Sequence, residues 1–300
     1  MIACKGVSKR FGGLTALDQV SLTIPKGSIF GLVGSNGAGK STLLRILAGV
    51  YHPEEGEALL DGTSSWKNTA LKSRIRLMAD ELWFPAHSTL LQMGKAMAGF
   101  YPGWDMGYFQ RLCKVFPVNE KARYGSLSKG NRRQAGLILS LASRPDVLLL
   151  DEVFDGLDPV VRKLVKKLLA EESADREMTT VLASHNLREM EDLCDTLALL
   201  HKGGVVLEQD LDSMRLCLQR VQVVFPQMPE QAALRQKLCI TSWEISGSLV
   251  TFVARGSQEE VLAAVDSFSP SFRETVPLSL EEVFISEMEA SGYDINNILG

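Results

Sequence analysis

A glycine-rich turn that runs into a lysine and two hydroxyls constrains this chain more than any other feature: Gly34-Ser35-Asn36-Gly37-Ala38-Gly39-Lys40-Ser41-Thr42. It fits G-x-x-x-x-G-K-[ST], and its flanks give the pattern meaning. Residues 29–33 before it form a short apolar run suited to a buried strand. Leu43, Leu44, Leu47 and Ala48 after it mark one face of a helix. Glycines let the backbone wrap closely around phosphate oxygens, with successive N–H groups pointing inward. The new helix adds its positive end at the same spot. Lys40 would bring a cation to the β- and γ-phosphates, and the Ser41 hydroxyl would ligate Mg²⁺. The pattern predicts a nucleoside triphosphate site.

A second site lies at Asp146-Val147-Leu148-Leu149-Leu150-Asp151-Glu152, an apolar strand ending in two acids. Strands of a parallel sheet present ligand groups at their carboxyl ends, where the phosphate loop also opens. Asp151 can hold Mg²⁺ through water. Glu152, one residue on, would be free of the metal and able to polarise an attacking water.

The 300 residues allow about two domains, and 45% apolar content is enough for a proper core. A net charge of −4 argues against a general nucleic-acid binder, so no nucleic-acid partner is expected. The longest aliphatic runs span only a few residues, so no membrane-crossing helix is expected, and the first residues lack a signal-peptide layout. Five scattered cysteines without a C-x-x-C pair, and four dispersed histidines, argue against disulfides and structural zinc and fit a reducing cytoplasm.

Strand-like alternation at 20–24, 29–33 and 57–60 opens the chain. From about 85 to 145 the character turns helical, with segments at 90–99, 106–116 and 134–143. Strand and helix then alternate at 147–150, 160–172, 179–183, 187–192 and 196–200, which implies a parallel, helix-covered sheet. Beyond about 210 a smaller unit is expected, with strands at 221–225, 240–245 and 248–253. Its helices are placed near 229–237 and 258–267, and a terminal one at 280–289.

Leu127-Ser128-Lys129-Gly130-Asn131 resembles the LSGGQ signature of ABC ATPases. The order of phosphate loop, signature, carboxylate strand, Gly156-Leu157-Asp158-Pro159 and Ser184-His185 matches that family. The resemblance implies an α/β fold: a P-loop NTPase core of ABC type with an antiparallel β subdomain and a helical insertion, plus a small α+β C-terminal unit. Residues 1–210 would form the nucleotide-binding domain, and 211–300 an accessory domain. ATP and Mg²⁺ are the implied cofactors. Phe11 matches the aromatic that stacks on adenine, and His185 the switch histidine at the γ-phosphate. Asp158 matches the loop that crosses between two copies. In such head-to-tail pairs Ser128 and Gly130 would face the triphosphate held by the phosphate loop of the other copy.

Two departures stand out. Where the family has Gln about forty residues after the phosphate loop, this chain has Asp80. A carboxylate can still offer oxygen to Mg²⁺ or water, but it adds negative charge near the phosphates. Lys129 and Asn131 also replace the commonest Gly and Gln of the signature. More narrowly, Tyr101-Pro102-Gly103-Trp104-Asp105 with Tyr108-Phe109 resembles a bacterial subgroup of ABC-2-type exporter ATPases, often encoded beside GntR-family regulators. The resemblance implies the ATPase subunit of an exporter, docked on membrane-spanning permease subunits at the inner face of the membrane. Trp83, Phe84, Tyr101 and Trp104 give that docking region an aromatic surplus. The competing reading is a soluble ABC ATPase acting on ribosomes, DNA or metal-cluster assembly.

Overall fold

The computed structural model describes residues 1–81, 84–211, 213, 218–229, 231–283 and 285. Backbone contacts divide the chain into two compact units, Met1–Glu208 and Gln209–Gly300.

In the first unit the alternating N-terminal segments form a hairpin, β1 (Ile2–Phe11) with β2 (Leu14–Ile24). It continues through β4 (Glu55–Leu60) and β5 (Thr63–Ser64) into an antiparallel sheet of order β2-β1-β4-β5. The second sheet has order β10-β9-β3-β8-β7-β6. Its strands are β3 (Ile29–Val33), β6 (Ile75–Met78), β7 (Val147–Asp151), β8 (Thr179–Ser184), β9 (Thr196–His201) and β10 (Gly204–Asp210). Strands β3, β7 and β8 are buried at every position, as expected of central strands covered on both faces.

Parallel register sets the geometry that matters. Val33 lies opposite Ser184, Asp151 opposite Ala183, and Met78 opposite Leu150. Four strands therefore end nearly level, and the residues that follow them converge on one edge of the sheet. Helix α1 (Lys40–Leu47) leaves the phosphate loop there and packs Leu43, Leu44 and Leu47 into the core. A short helix, α2 (Thr69–Lys72), precedes β6.

The helical insertion contains α3 (Leu90–Met97), α4 (Met106–Val115) and α5 (Lys129–Ala142). Each has a local start signal. Thr89 and Gln92 form a capping box on α3, Asp105 accepts from the Tyr108 N–H on α4, and Ser128 accepts from the Asn131 N–H on α5. Helix α5 begins at Lys129, earlier than residue 134, because Ser128 caps it. From Arg133 through Ala142 it is buried. Two more helices, α6 (Pro159–Arg176) and α7 (Leu187–Met190), complete the unit. Asp158 caps α6 through bonds of 3.0 Å from the N–H groups of Val160 and Val161, with Pro159 in the first turn.

The aromatic run of the insertion is mostly internal. Trp104 packs on Phe109 with centroids 5.6 Å apart, and Phe109 is fully buried. Tyr101 accepts a 3.0 Å hydrogen bond from Arg76, whose guanidinium also lies over the ring. Phe84 meets Tyr124 edge-on at 5.1 Å, and Trp83 lies outside the described residues. Tyr101 and Trp104, expected as docking aromatics, are half-buried, and these contacts help close the insertion. Tyr108 stacks under Arg144, which pairs at 2.5 Å with the buried Glu172 of α6. That network ties the insertion to the core.

The second unit is an antiparallel sheet of order β12-β13-β11-β14. It is built from β11 (Leu218–Val224), β12 (Cys239–Ser246), β13 (Leu249–Arg255) and β14 (Phe272–Val276). Helices Gln231–Lys237 and Gln258–Asp266 contribute Leu234, Val261 and Val265 to a core with Val221, Val223 and Phe252. Residues 280–283 and 285 are helical, and the rest of the expected terminal helix lies outside the described residues. Strand β14 escaped the sequence reading because Arg273 and Glu274 interrupt its apolar pattern at an exposed edge.

Truncating the centre of the insertion tests this packing. Phe109→Ala is expected to cost about 3–5 kcal/mol, read as a lowered denaturant midpoint in tryptophan fluorescence. A change under about 1 kcal/mol would mean that Phe109 does not anchor the lobe.

Candidate functional site

The phosphate loop requires a backbone that only glycine accepts readily. Gly39 sits at φ 108°, and a Cβ there would lie 2.5 Å from the Ala16 carbonyl oxygen. At Gly34 a Cβ would come within 2.3 Å of the Leu200 carbonyl oxygen, so β2 and β9 press on the loop from behind. The Ala38 N–H closes the turn on the Ser35 carbonyl at 3.1 Å, and the Ala38 carbonyl accepts from the Gly203 N–H. The result is a braced loop opening into a cavity of about 280 Å³.

Phe11, Leu14, Asn36 through Thr42, Asp80 and Glu152 line that cavity, so segments far apart in sequence meet at one place. Gly34 and Ser35, not among the lining residues, hold Lys40 through their carbonyls. Lys40, only 5% exposed, donates to Gly34 O at 2.6 Å and Ser35 O at 3.3 Å, with Glu152 Oε1 at 3.4 Å. Phe11 is exposed at the rim, edge-on to Tyr51 at 5.4 Å, with the Lys9 ammonium over its ring. An exposed aromatic ring thus stands beside the phosphate loop.

At the end of β7, Asp151 is buried and in hydrogen-bond contact with Ser41. Burial pushes its carboxyl above the ordinary carboxylate range, while Ser41 and Arg45 partly oppose the shift. Its Oδ1 has no hydrogen-bond partner among the described residues. An orphaned carboxylate oxygen beside a serine hydroxyl is the donor set a hard divalent cation takes.

Glu152 adopts a left-handed backbone at φ 48°, rare for a residue with a side chain. Its N–H donates to Ala183 O at 2.9 Å, and its carboxylate reaches His185 Nδ1 at 3.0 Å. His185 itself is exposed, on the loop after β8. Asp155 completes a group with Glu152 and His185 whose ligand atoms all lie within 4.8 Å. Glu152 and His185 were both expected at the site, while Asp155 was not, and the contact depends on β7 and β8 ending level.

Asp80 also lines the cavity, but its Oδ1 receives a 2.5 Å bond from Arg133 of α5. Arg133 is 3% exposed and donates to the Glu152 carbonyl as well. Nothing in the local pattern singles out Arg133. Its only sequence signal is a basic residue on the apolar face of the signature helix.

Ser128, Gly130 and Asp158 are not among the residues lining this cavity. Ser128 and Asp158 are exposed at the starts of α5 and α6, and Gly130 approaches Gly156 O at 3.0 Å from an ideal Cβ. Lys129 is exposed to solvent.

A braced phosphate loop, a buried lysine and a carboxylate strand define a P-loop nucleoside triphosphatase of the parallel α/β class. The family model described as ABC transporter matches residues 17–155. The ABC transporter ATP-binding protein YtrB of Bacillus subtilis (strain 168) is 33% identical over 96% of this chain and 98% of its own length. The bacitracin transport ATP-binding protein BcrA of Enterococcus faecalis is 26% identical over 71% of this chain and 70% of its own. A solved dimeric bacterial ABC transporter cassette superposes with TM-score 0.65 at 23% identity, covering 70% of this chain and 99% of that one. The chain belongs to the ATP-binding proteins of ABC transporters, and it is an ATPase of that family.

Replacing the lysine tests the nucleotide site. Lys40→Ala is expected to weaken ATP binding on the order of 100-fold, the effect of losing ~3 kcal/mol of charge-assisted bonding. Equilibrium titration with a fluorescent nucleotide reads it, and an unchanged affinity would rule the loop out.

Proposed function

We propose that this chain is the motor subunit of an exporter. Two copies would close head to tail around ATP, and hydrolysis would let them part. The single observation that carries the hydrolytic part is the setting of Glu152. Its carboxylate lies on the cavity wall between Lys40 and His185, 3.4 and 3.0 Å away, one residue past the buried Asp151.

Phe11 offers its exposed ring to the adenine, and the N–H groups of Gly37, Gly39, Lys40 and Ser41 surround the phosphates. Lys40 leaves the carbonyls of Gly34 and Ser35 for the terminal phosphates, whose charge is the stronger acceptor. Glu152 holds the attacking water and accepts its proton, and His185 keeps the Glu152 carboxylate aimed while facing the γ-phosphate. Ser41 and Asp151 fit Mg²⁺, which when bound would neutralise charge between the β- and γ-phosphates.

Ser128 and Gly130 at the start of α5, and Asp158 at the start of α6, would meet the nucleotide held by a second copy. Both segments are exposed helix starts, which suits an anion arriving from outside. Residues 1–210 carry this chemistry, and 211–300 act as an accessory domain. The subunit sits at the inner face of the cell membrane on permease subunits. Export is supported by the resemblance of the Tyr101–Phe109 motif block to exporter ATPases.

The Glu152→Gln variant separates binding from chemistry. It is expected to bind ATP with affinity within about twofold of the wild type and to hydrolyse it ~100-fold or more slowly. It should also accumulate an ATP-dependent dimer on size exclusion. Normal turnover would place the base elsewhere, and a persistent monomer would remove the pairing.

A further inference from the structure

Asp80 poses a problem of charge. It faces the same cavity as Glu152, near the buried Asp151, where a triphosphate would add several more negative charges. Uncompensated, such a carboxylate repels the ligand its neighbours are arranged to hold. The structure answers with Arg133. Its guanidinium is almost wholly enclosed, yet it reaches Asp80 Oδ1 at 2.5 Å, Asp80 O at 3.4 Å and the carbonyl of Glu152. One planar fork thus bridges two loops that leave adjacent strands, β6 and β7.

The carbonyl it holds belongs to the residue whose backbone most needs holding. Glu152 is left-handed at φ 48°, a conformation that persists only where surrounding contacts impose it. The Ala183 carbonyl fixes its N–H, and Arg133 fixes its C=O. The two together set the direction in which the Glu152 side chain leaves the chain. Asp151, by contrast, already presents an unpartnered buried oxygen next to Ser41, so a metal-facing carboxylate exists without Asp80.

We propose that Arg133 is a positioning residue of the hydrolytic site: with Asp80 as its counter-ion, it fixes the backbone from which Glu152 projects, and the Asp80 carboxylate serves that pair rather than Mg²⁺. This rests on the reading of Glu152 as the base. A glutamine at position 80 could accept from a neighbour but could not neutralise a buried guanidinium, so Asp80 and Arg133 form one unit. The pair also links the signature helix to the base, since Arg133 lies five residues past the Ser128 cap.

The full-length chain is tested as Arg133→Gln, Arg133→Lys, Asp80→Asn, the Asp80→Asn/Arg133→Gln double variant, and Asp151→Asn. Arg133→Gln and Asp80→Asn should each lower kcat about tenfold. Asp80→Asn should leave KM and the affinity for N-methylanthraniloyl-ATP within about twofold of wild type. Arg133→Gln, which leaves Asp80 uncompensated, should weaken that affinity. The double variant should lose no more than either single one, because the second change removes a partner already idle. Arg133→Lys keeps the charge without the fork. It should remain folded yet lose kcat, which covers the case in which Arg133→Gln fails to fold. Mg²⁺ titration of nucleotide binding should give the same midpoint for Asp80→Asn as for wild type, while Asp151→Asn shifts it upward.

A shift for Asp80→Asn matching that of Asp151→Asn would overturn the proposal by making Asp80 a metal ligand. Losses that multiply in the double variant would overturn it by making the two residues independent, and so would a wild-type kcat in Arg133→Lys. A wild-type chain that binds ATP without turnover would count against Glu152 as base. Pairing would then be decided by melting temperatures of the same variants and by the Mg²⁺ titration. In the melting temperatures, a double variant no less stable than the weaker single one supports it, and additive losses overturn it.

Discussion

Everything at this site depends on strands that stop at the same height. In the central sheet β3, β8, β7 and β6 lie side by side in parallel, with Val33 opposite Ser184 and Asp151 opposite Ala183. Strands β3, β7 and β8 are buried along their whole length, so register is set by core packing and not by the polar residues that follow. The first residues past the strand ends are then Gly34, His185, Glu152 and, two past β6, Asp80. A slip of one residue in β7 would move Asp151 and Glu152 to opposite faces. Catalytic geometry here is a by-product of a well-packed hydrophobic sheet.

The second theme is charge in a confined space. One buried lysine, one buried arginine and a half-buried run of acids share a small volume, and the protein keeps each cation against a specific carbonyl or carboxylate. Such pairs contribute little net stability once desolvation is counted, but breaking one leaves a charge stranded. That asymmetry explains how a carboxylate at position 80 is tolerated beside a phosphate site. It is tolerated as part of a pair.

Much of this was legible in the sequence. The phosphate loop, the Asp151 strand and the strand–helix alternation depend on local spacing, and local spacing is what a sequence displays. The α/β core with its helical insertion followed directly. What escaped notice was long-range. Arg133 lies 53 residues from Asp80 and 19 from Glu152, and no periodicity connects them. The cluster of Glu152, Asp155 and His185 needs two strand ends brought level. For Tyr101 and Trp104, composition cannot tell a ring that packs on Arg76 or Phe109 from one that faces a partner. Strand β10 and the exposed edge strand β14 lack the alternation that would have marked them.

Consider, last, the serine at the head of α5. Its oxygen already accepts the Asn131 N–H at 3.2 Å, which satisfies one of the orphan donors of the helix. A hydroxyl carries a single hydrogen, and that hydrogen takes no part in the cap. The oxygen keeps a second lone pair as well as that hydrogen, so the residue can still donate outward while holding its helix. An ordinary helix cap thus leaves a polar hydrogen at the exposed head of the helix, able to donate without any charge of its own.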